Sequence, residues 1–327
     1  MSATPTCAHS PTTARASSRE STARAVGAGV EAEPPAPLQS RDVQDSTALA
    51  PPRPEPRLIR PPSPWPTLGL RELWHFRDLL YFLAWRELKV RYKQTVFGIA
   101  WAALQPVAYM VVFTLLFSKV FKIFVVGPYP LLALSGSVIW LFFANSVTIA
   151  AGSLVGNSAL LTKVYFPRVL APLAPILAAL VDLAVALLVL LGVMAAYGTY
   201  PELSRAWTVV PFVLLAMGTA FGVGAWLSAL NVKYRDVRFV VPLLLQLWMF
   251  VSAVFYSFQS LDLEEPLRTL FWLNPMAGAV EGFRWALLGG IRPTGEQVAL
   301  SSLVGLVLLA GGVLSFRRME RVFADIV

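Results

Sequence analysis

Trp101, Gln105, Tyr109, Phe113 and Phe117 recur every four residues along one apolar stretch, so they drift only slowly around a helix. Aromatic faces with an amide among them can stack on sugar rings and hydrogen-bond their hydroxyls. The same rings also serve as packing groups and membrane-interface anchors. Trp140, Phe143 and Asn145 cluster in a second apolar stretch, and Gln246, Phe250, Phe255 and Tyr256 in a further one. Together these are the candidates for lining a substrate path. Asp182 lies in another apolar run, fourteen residues after Arg168 and about 21 Å along a helix. Ionised and facing lipid it would cost about 2.5–3.5 kcal/mol, so it should face protein or water. A hydrogen bond between helices and a role in transport both satisfy that requirement.

Bond-making chemistry is harder to find. No GxxxxGK[ST] run occurs, so the chain has no phosphate-cradling loop of its own, and no nucleophile, histidine and acid come together. Its one cysteine, Cys7, excludes an internal disulfide, and His9 and His75 are too far apart in sequence for an evident metal pair. The expectation is a protein that is not itself an enzyme and carries no cofactor. If it pumps, something else supplies the energy.

The elements that position these residues follow from composition. The 327-residue chain is 56% hydrophobic and 14% charged, with a mean hydropathy of +0.62, where soluble proteins carry about 25% charge. Apolar runs of about 20 residues match the hydrocarbon thickness of a bilayer, and helices satisfy their own backbone groups there. The expected fold is therefore all-α: a polytopic helical membrane bundle. Spans are expected at about 97–118, 131–155, 169–197, 207–230, 239–258 and 297–316, six in all.

Three domains are expected. Residues 1–66, rich in Pro, Ala and Ser, read as a disordered cytoplasmic tail without the basic and apolar order of a signal peptide. Residues 67–96 read as an amphipathic helix lying along the membrane interface, with Leu73, Phe76, Leu80, Leu83 and Leu88 roughly on one face. Residues 97–327 form the six-span domain. Within it, Asn274 to Gly290 would rise only about 20 Å over its apolar part and contains Glu281 and Arg284. It is expected to be re-entrant or interfacial on the outer side, started by Asn274-Pro275.

Basic residues orient this arrangement. Arg86, Lys89, Arg91, Lys93, Lys163, Arg168, Lys233, Arg235, Arg238, Arg317, Arg318 and Arg321 fall on one side. Lys119, Lys122, Arg205, Arg268, Arg284 and Arg292 fall on the other, accompanied by acids. That asymmetry places both termini in the cytoplasm. It also accounts for the net charge of +8 without a nucleic-acid partner. The internal loop NVKYRDVR, residues 231–238, is expected to use Arg235 and Asp236 to brace the ends of spans four and five. The other internal loop, from Gly156, is either hydrophilic filler or a surface touched by a cytoplasmic partner.

The stretches RELKVRYKQTVFGIAWAALQPVAYMVVFTLLFSKV, LVGNSALLTKVYFPRVLAPLAPILAALVDL, GVGAWLSALNVKYRDVRFVVPLLLQLWMFVSAVFYSF and LNPMAGAVEGFRWALLG closely resemble the permease of type 2 ABC exporters for bacterial surface polysaccharides and polyols. The resemblance covers about residues 70–320 and implies export of a lipid-linked O-antigen, capsule or wall teichoic acid precursor across the inner membrane. It implies a homodimer with a channel between subunits and two copies of a separate cytoplasmic subunit that binds ATP and Mg2+. It also implies re-entrant helices before the last span, matching Leu267 to Leu288. Contacts to the ATPase would come from Arg77 on the amphipathic helix and from Asn157, Leu161, Lys163, Tyr165 and Arg168 in the first internal loop. Arg86, Lys89, Arg91 and Lys93 would receive the lipid-linked diphosphate. Export of another lipid or a drug would share the same fold and motor. A secondary transporter is disfavoured by the lack of an evident inverted repeat.

Overall fold

In the computed structural model of the chain, the described residues are 74–93, 95, 97–120, 127–158, 160, 166–258, 264 and 266–320. All of them lie in one compact unit, residues 63–327. The tail 1–66, and Leu161, Lys163 and Tyr165 of the first internal loop, lie outside the described residues.

Every regular element among the described residues is helical. In chain order these are α1 (Arg77–Tyr92), α2 (Ala100–Phe113, continued as a π-helix over Thr114–Val120), α3 (Tyr129–Gly156), α4 (Leu170–Ala196), α5 (Leu203–Ala206), α6 (Val209–Lys233), α7 (Val237–Val251), α8 (Leu267–Trp272), α9 (Pro275–Leu288) and α10 (Gly295–Glu320). Five helical segments are long and apolar enough to cross a bilayer: Ala100–Phe117, Tyr129–Gly156, Leu170–Ala196, Leu203–Lys233 and Gly295–Glu320. A sixth apolar helix, Val237–Val251, is shorter.

Helix α3 forms the centre. Pro130 stands in its first turn, where the missing N–H costs nothing, and residues 131–143 are all buried. It packs against α4 on one side and α6 on another, α6 packs against α10, and α9 wedges among α3, α6 and α10. In lipid no hydrophobic force separates helix from solvent, so close backbone approach must supply the packing. That approach is tightest where α6 crosses α10: a Cβ on Gly312 would stand 2.0 Å from the Gly222 carbonyl oxygen.

One expectation needs correction. The fifth span does not run as one helix from 239 to 258; α7 stops at Val251, and Ala253 takes a positive φ of 52°. Apolar composition alone cannot show this break, because its cause is a set of donors far away in sequence. The amphipathic helix α1 packs lengthwise on α4. Leu83 meets Phe166, Leu170 and Ala174, and the C-terminal end of α1 reaches Asp182, eight residues beyond Ala174 along α4. Residues 276–287 of α9 are almost wholly buried, so this helix is enclosed within the bundle rather than laid on its face.

The glycine crossing is directly testable. Gly312→Ala should cost about 1–3 kcal/mol by overpacking against rigid backbone. Gly192→Ala, where nothing lies within 4 Å, should be neutral or stabilise by about 0.5–1 kcal/mol. Thermal unfolding of the two variants in detergent separates them.

Candidate functional site

The polar groups of the bundle gather in three places. At one end, α9 presents Glu281 and Arg284 one turn apart on the same face. Their side chains are only 8% and 7% exposed and pair at 2.9 Å. Arg284 Nη2 also donates to the carbonyls of Val254 (3.0 Å), Ala253 (3.3 Å) and Leu132 (3.5 Å), and Nη1 donates to Tyr256 O (3.3 Å). Glu281 accepts from the backbone N–H of Phe258 at 3.0 Å. Carbonyls freed where α7 ends are thus satisfied by one guanidinium, the condition under which broken helix is tolerated at membrane depth. Tyr129 adds a hydrogen bond from its hydroxyl to Phe255 O at 2.6 Å. Gly136 is required beside this hub, since a Cβ there would stand 2.1 Å from Val254 O.

Asn274 ties the same break to the start of α9. Its Oδ1 accepts from the Met276 N–H (3.0 Å) and from Trp248 Nε1 (2.9 Å), and its amide donates to Ser252 Oγ (2.9 Å). It therefore caps α9 and holds the last turn of α7 in one geometry.

At the opposite end, Arg86 donates to Asn157 and joins α1 to the turn after α3. Arg168 donates to the Glu320 carbonyl at 3.2 Å, joining the start of α4 to the end of α10. Asn231 donates to Ala151 O at 3.0 Å and is buried. Arg235 and Asp236, by contrast, are exposed and form no ion pair among the described residues. The expected brace in NVKYRDVR is therefore supplied by Asn231, which fastens α6 to α3. Arg77 is exposed beside Asp78 at 3.7 Å.

Between these ends lies a cavity of about 310 Å³, lined by Arg91 and Tyr92 of α1, Trp101 and Gln105 of α2, Asn145 of α3 and Asp182 of α4, with apolar walls from Phe142 and Ile149. Asp182 accepts from both the Arg91 guanidinium and the Tyr92 hydroxyl. The intramembrane acid thus faces protein, as its cost requires. Burial, then the hydrogen bond to Asp182, push the Tyr92 phenol from 10.0 up to about 12.

The expected path residues divide among these places. Trp101, Gln105 and Asn145 share the cavity. Tyr109 and Phe113 pack on Phe255, the Phe113 and Phe255 rings stacking at 3.5 Å, and Phe117 stacks on Tyr129. Trp140 and Phe143 are buried in the core of the chain, so they pack the bundle instead of lining an open surface. Phe255 is buried in the same core, and Tyr256 donates to Phe250 O at 2.5 Å. Gln246 and Phe250 are exposed on α7. The basic run before the first span also splits. Arg86 and Arg91 are engaged within the chain, whereas Lys89, over the Trp85 ring at 5.6 Å, and Lys93 are exposed.

Comparison with known proteins identifies the scaffold. Residues 78–288 match the model of the ABC-2 type transporter family. The chain belongs to that family. It is 31% identical over 77% of its length to the O-antigen export system permease protein RfbA of Myxococcus xanthus, covering 96% of that protein. It is 26% identical to the RfbA of Klebsiella pneumoniae, over 76% of this chain and 95% of that one. It is 24% identical to the polysialic acid transport protein KpsM of Escherichia coli, over 72% of this chain and 91% of that one. As an ABC-2 type transporter chain it is a multi-pass membrane component. The family match runs from α1 to the end of α9, so it includes the Glu281–Arg284 pair, the Arg86–Asn157 link and the residues lining the cavity.

Two predictions follow from the geometry. Arg284→Met should destabilise the bundle by about 3–5 kcal/mol, because Glu281 is left as a buried unpaired charge. Adding Glu281→Gln should restore only part of this, since the carbonyls of residues 253 and 254 stay unmet; a double-mutant cycle on unfolding in detergent reads both terms. Because the folded chain holds the Tyr92 proton up to about 12 against 10.0 ordinarily, its stabilisation is complete below pH 10 and lost as pH rises through 12. Tyr92→Phe should therefore flatten the fall in melting temperature across that window.

Proposed function

We propose that this chain is the membrane subunit of an ATP-driven exporter that moves a lipid-linked polysaccharide from the cytoplasm across the bacterial inner membrane. The observation that carries the reading is end-to-end similarity to permeases named for O-antigen export, with 96% of the Myxococcus xanthus protein covered. The absence of a phosphate-binding loop in the sequence calls for a motor elsewhere. Two copies of a separate ATP-binding subunit, using ATP and Mg2+, would provide it. The end carrying Arg77, the Arg86–Asn157 link and Arg168 suits their docking, which puts both termini in the cytoplasm.

Two copies of this chain would form the path. Helix α7 buries Val241, Leu245 and Met249 and leaves Phe239, Leu243, Leu247 and Phe250 exposed, while α2 exposes Trp101, Val112 and Leu115. These uncovered faces suit a second protomer, with Gln246 and Phe250 near the seam. ATP binding would draw the two motors together and push on the loop after α3. Through Arg86 and Asn157 the push reaches α1, and through Arg91 and Asp182 it reaches α4. Lys89 and Lys93, exposed and without an acidic partner among the described residues, suit the diphosphate of the lipid-linked cargo.

Deleting the gene should abolish surface glycan while lipid-linked glycan accumulates inside the cell. The purified complex should contain the ATP-binding subunit and hydrolyse ATP. Normal surface glycan in the deletion strain would overturn the proposal. Arg86→Ala should lower glycan-stimulated ATP hydrolysis several-fold without preventing copurification of the motor.

A further inference from the structure

We infer that the cavity among α1, α2, α3 and α4 is a binding site for one uncharged sugar ring, held within a single protomer. The inference rests on the glycan-export reading and assigns part of the cargo to a place. Size sets the first limit: about 310 Å³ is at the lower end of the roughly 300–1,000 Å³ of small-molecule sites, enough for a small ligand and not for a folded chain of sugars.

Charge sets the second. Arg91 and Asp182 form an ion pair in the wall, and their side chains are 20% and 15% exposed. Among the described residues no other charged one lines the cavity. Its formal charge is zero, so a phosphate or carboxylate entering it would gain Arg91 and be repelled by Asp182 at nearly the same range. A neutral ligand meets no such penalty.

The remaining donors and acceptors fit hydroxyl groups. Arg91 lines the cavity, and its guanidinium carries N–H donors beyond the one given to Asp182. Asp182 has acceptor capacity beyond its two present donors, and Gln105 and Asn145 each offer a donor and an acceptor. Adjacent ring hydroxyls, each both donor and acceptor, complement this set. The Trp101 ring and Phe142 supply apolar faces for the C–H side of a pyranose. An acyl chain would fill the volume but leave the Arg91 donors and the amides unmet.

The test uses the full permease assembled with its ATP-binding subunit in cells. The photo-crosslinking residue p-benzoylphenylalanine replaces Ile149 in the cavity wall, Phe250 on the exposed face of α7, or Leu306 on the exposed face of α10. After irradiation, periodate oxidation and hydrazide labelling reveal any adduct that contains vicinal diols, whichever sugar it carries. The expected result is a labelled adduct at Ile149 and none at Leu306. An unlabelled adduct at Ile149 would mean that lipid fills the cavity. Labelling at Phe250 alone would keep glycan export and remove this site, and labelling at neither position would remove both.

Asp182→Asn should lower labelling at Ile149 by about tenfold, the loss of one charge-assisted hydrogen bond, with copurification of the ATP-binding subunit as proof of assembly. Equal labelling at Ile149 in that variant would overturn the role given to the ion pair.

Discussion

The bundle depends on one buried cation. Arg284 occupies a point where α7 has stopped, α9 is enclosed and α3 passes close by, and it donates to backbone carbonyls from both sides of that point. Without it, the carbonyls of Ala253, Val254 and Tyr256 would face an apolar interior, each costing several kcal/mol. Without Glu281 the guanidinium itself would be uncompensated. The positive φ of Ala253 shows the same constraint acting on the backbone: a conformation costing about 1–3 kcal/mol persists because its carbonyl is claimed by Arg284.

The opposite end is tied together by α1. Helix α1 is held at two separated points, to the turn after α3 by Arg86 and Asn157, and to α4 by Arg91, Tyr92 and Asp182. A rigid helix attached at two points transmits displacement, whereas one attached at a single point would pivot. Between the points, Leu83 packs in a cluster with Phe166, Leu170 and Ala174, which adds side-chain contact to the hydrogen bonds. These contacts connect the turn after α3 to the depth of Asp182 by way of α1 as well as through α3 itself.

Much of this architecture was legible in the sequence, because the length of an apolar run and the thickness of a bilayer leave few alternatives. The long spans, the short helix before the last one and its start at Asn274-Pro275 follow from local rules. The isolated charge at Asp182 pointed to a protein-facing partner, but not to which one. What was illegible is non-local. The end of α7 at Val251 is set by Arg284, thirty-three residues on, and nothing within 239–258 signals it. Gly136 looked like any glycine in an apolar helix, and its need appears only once Val254 O lies against it. Aromatic spacing likewise could not separate Trp101, at the cavity, from Trp140, in the core, because both obey the same period.

The two ion pairs that join helices share a logic that sharpens the reading of charge in this chain. Arg91 and Asp182 fasten α1, a helix too polar to cross a bilayer, to α4, which can. Glu281 and Arg284 fasten α9, a helix too short to cross, to α3 and to the broken end of α7. Lipid cannot hold either non-crossing helix by hydrophobic burial alone, since lipid tails are as apolar as the protein interior. A charge-assisted contact can, because separating it at membrane depth would strand both partners. Arg284 therefore does not belong among the loop cations, and leaving it out widens the asymmetry of loop charge between the two ends of the bundle.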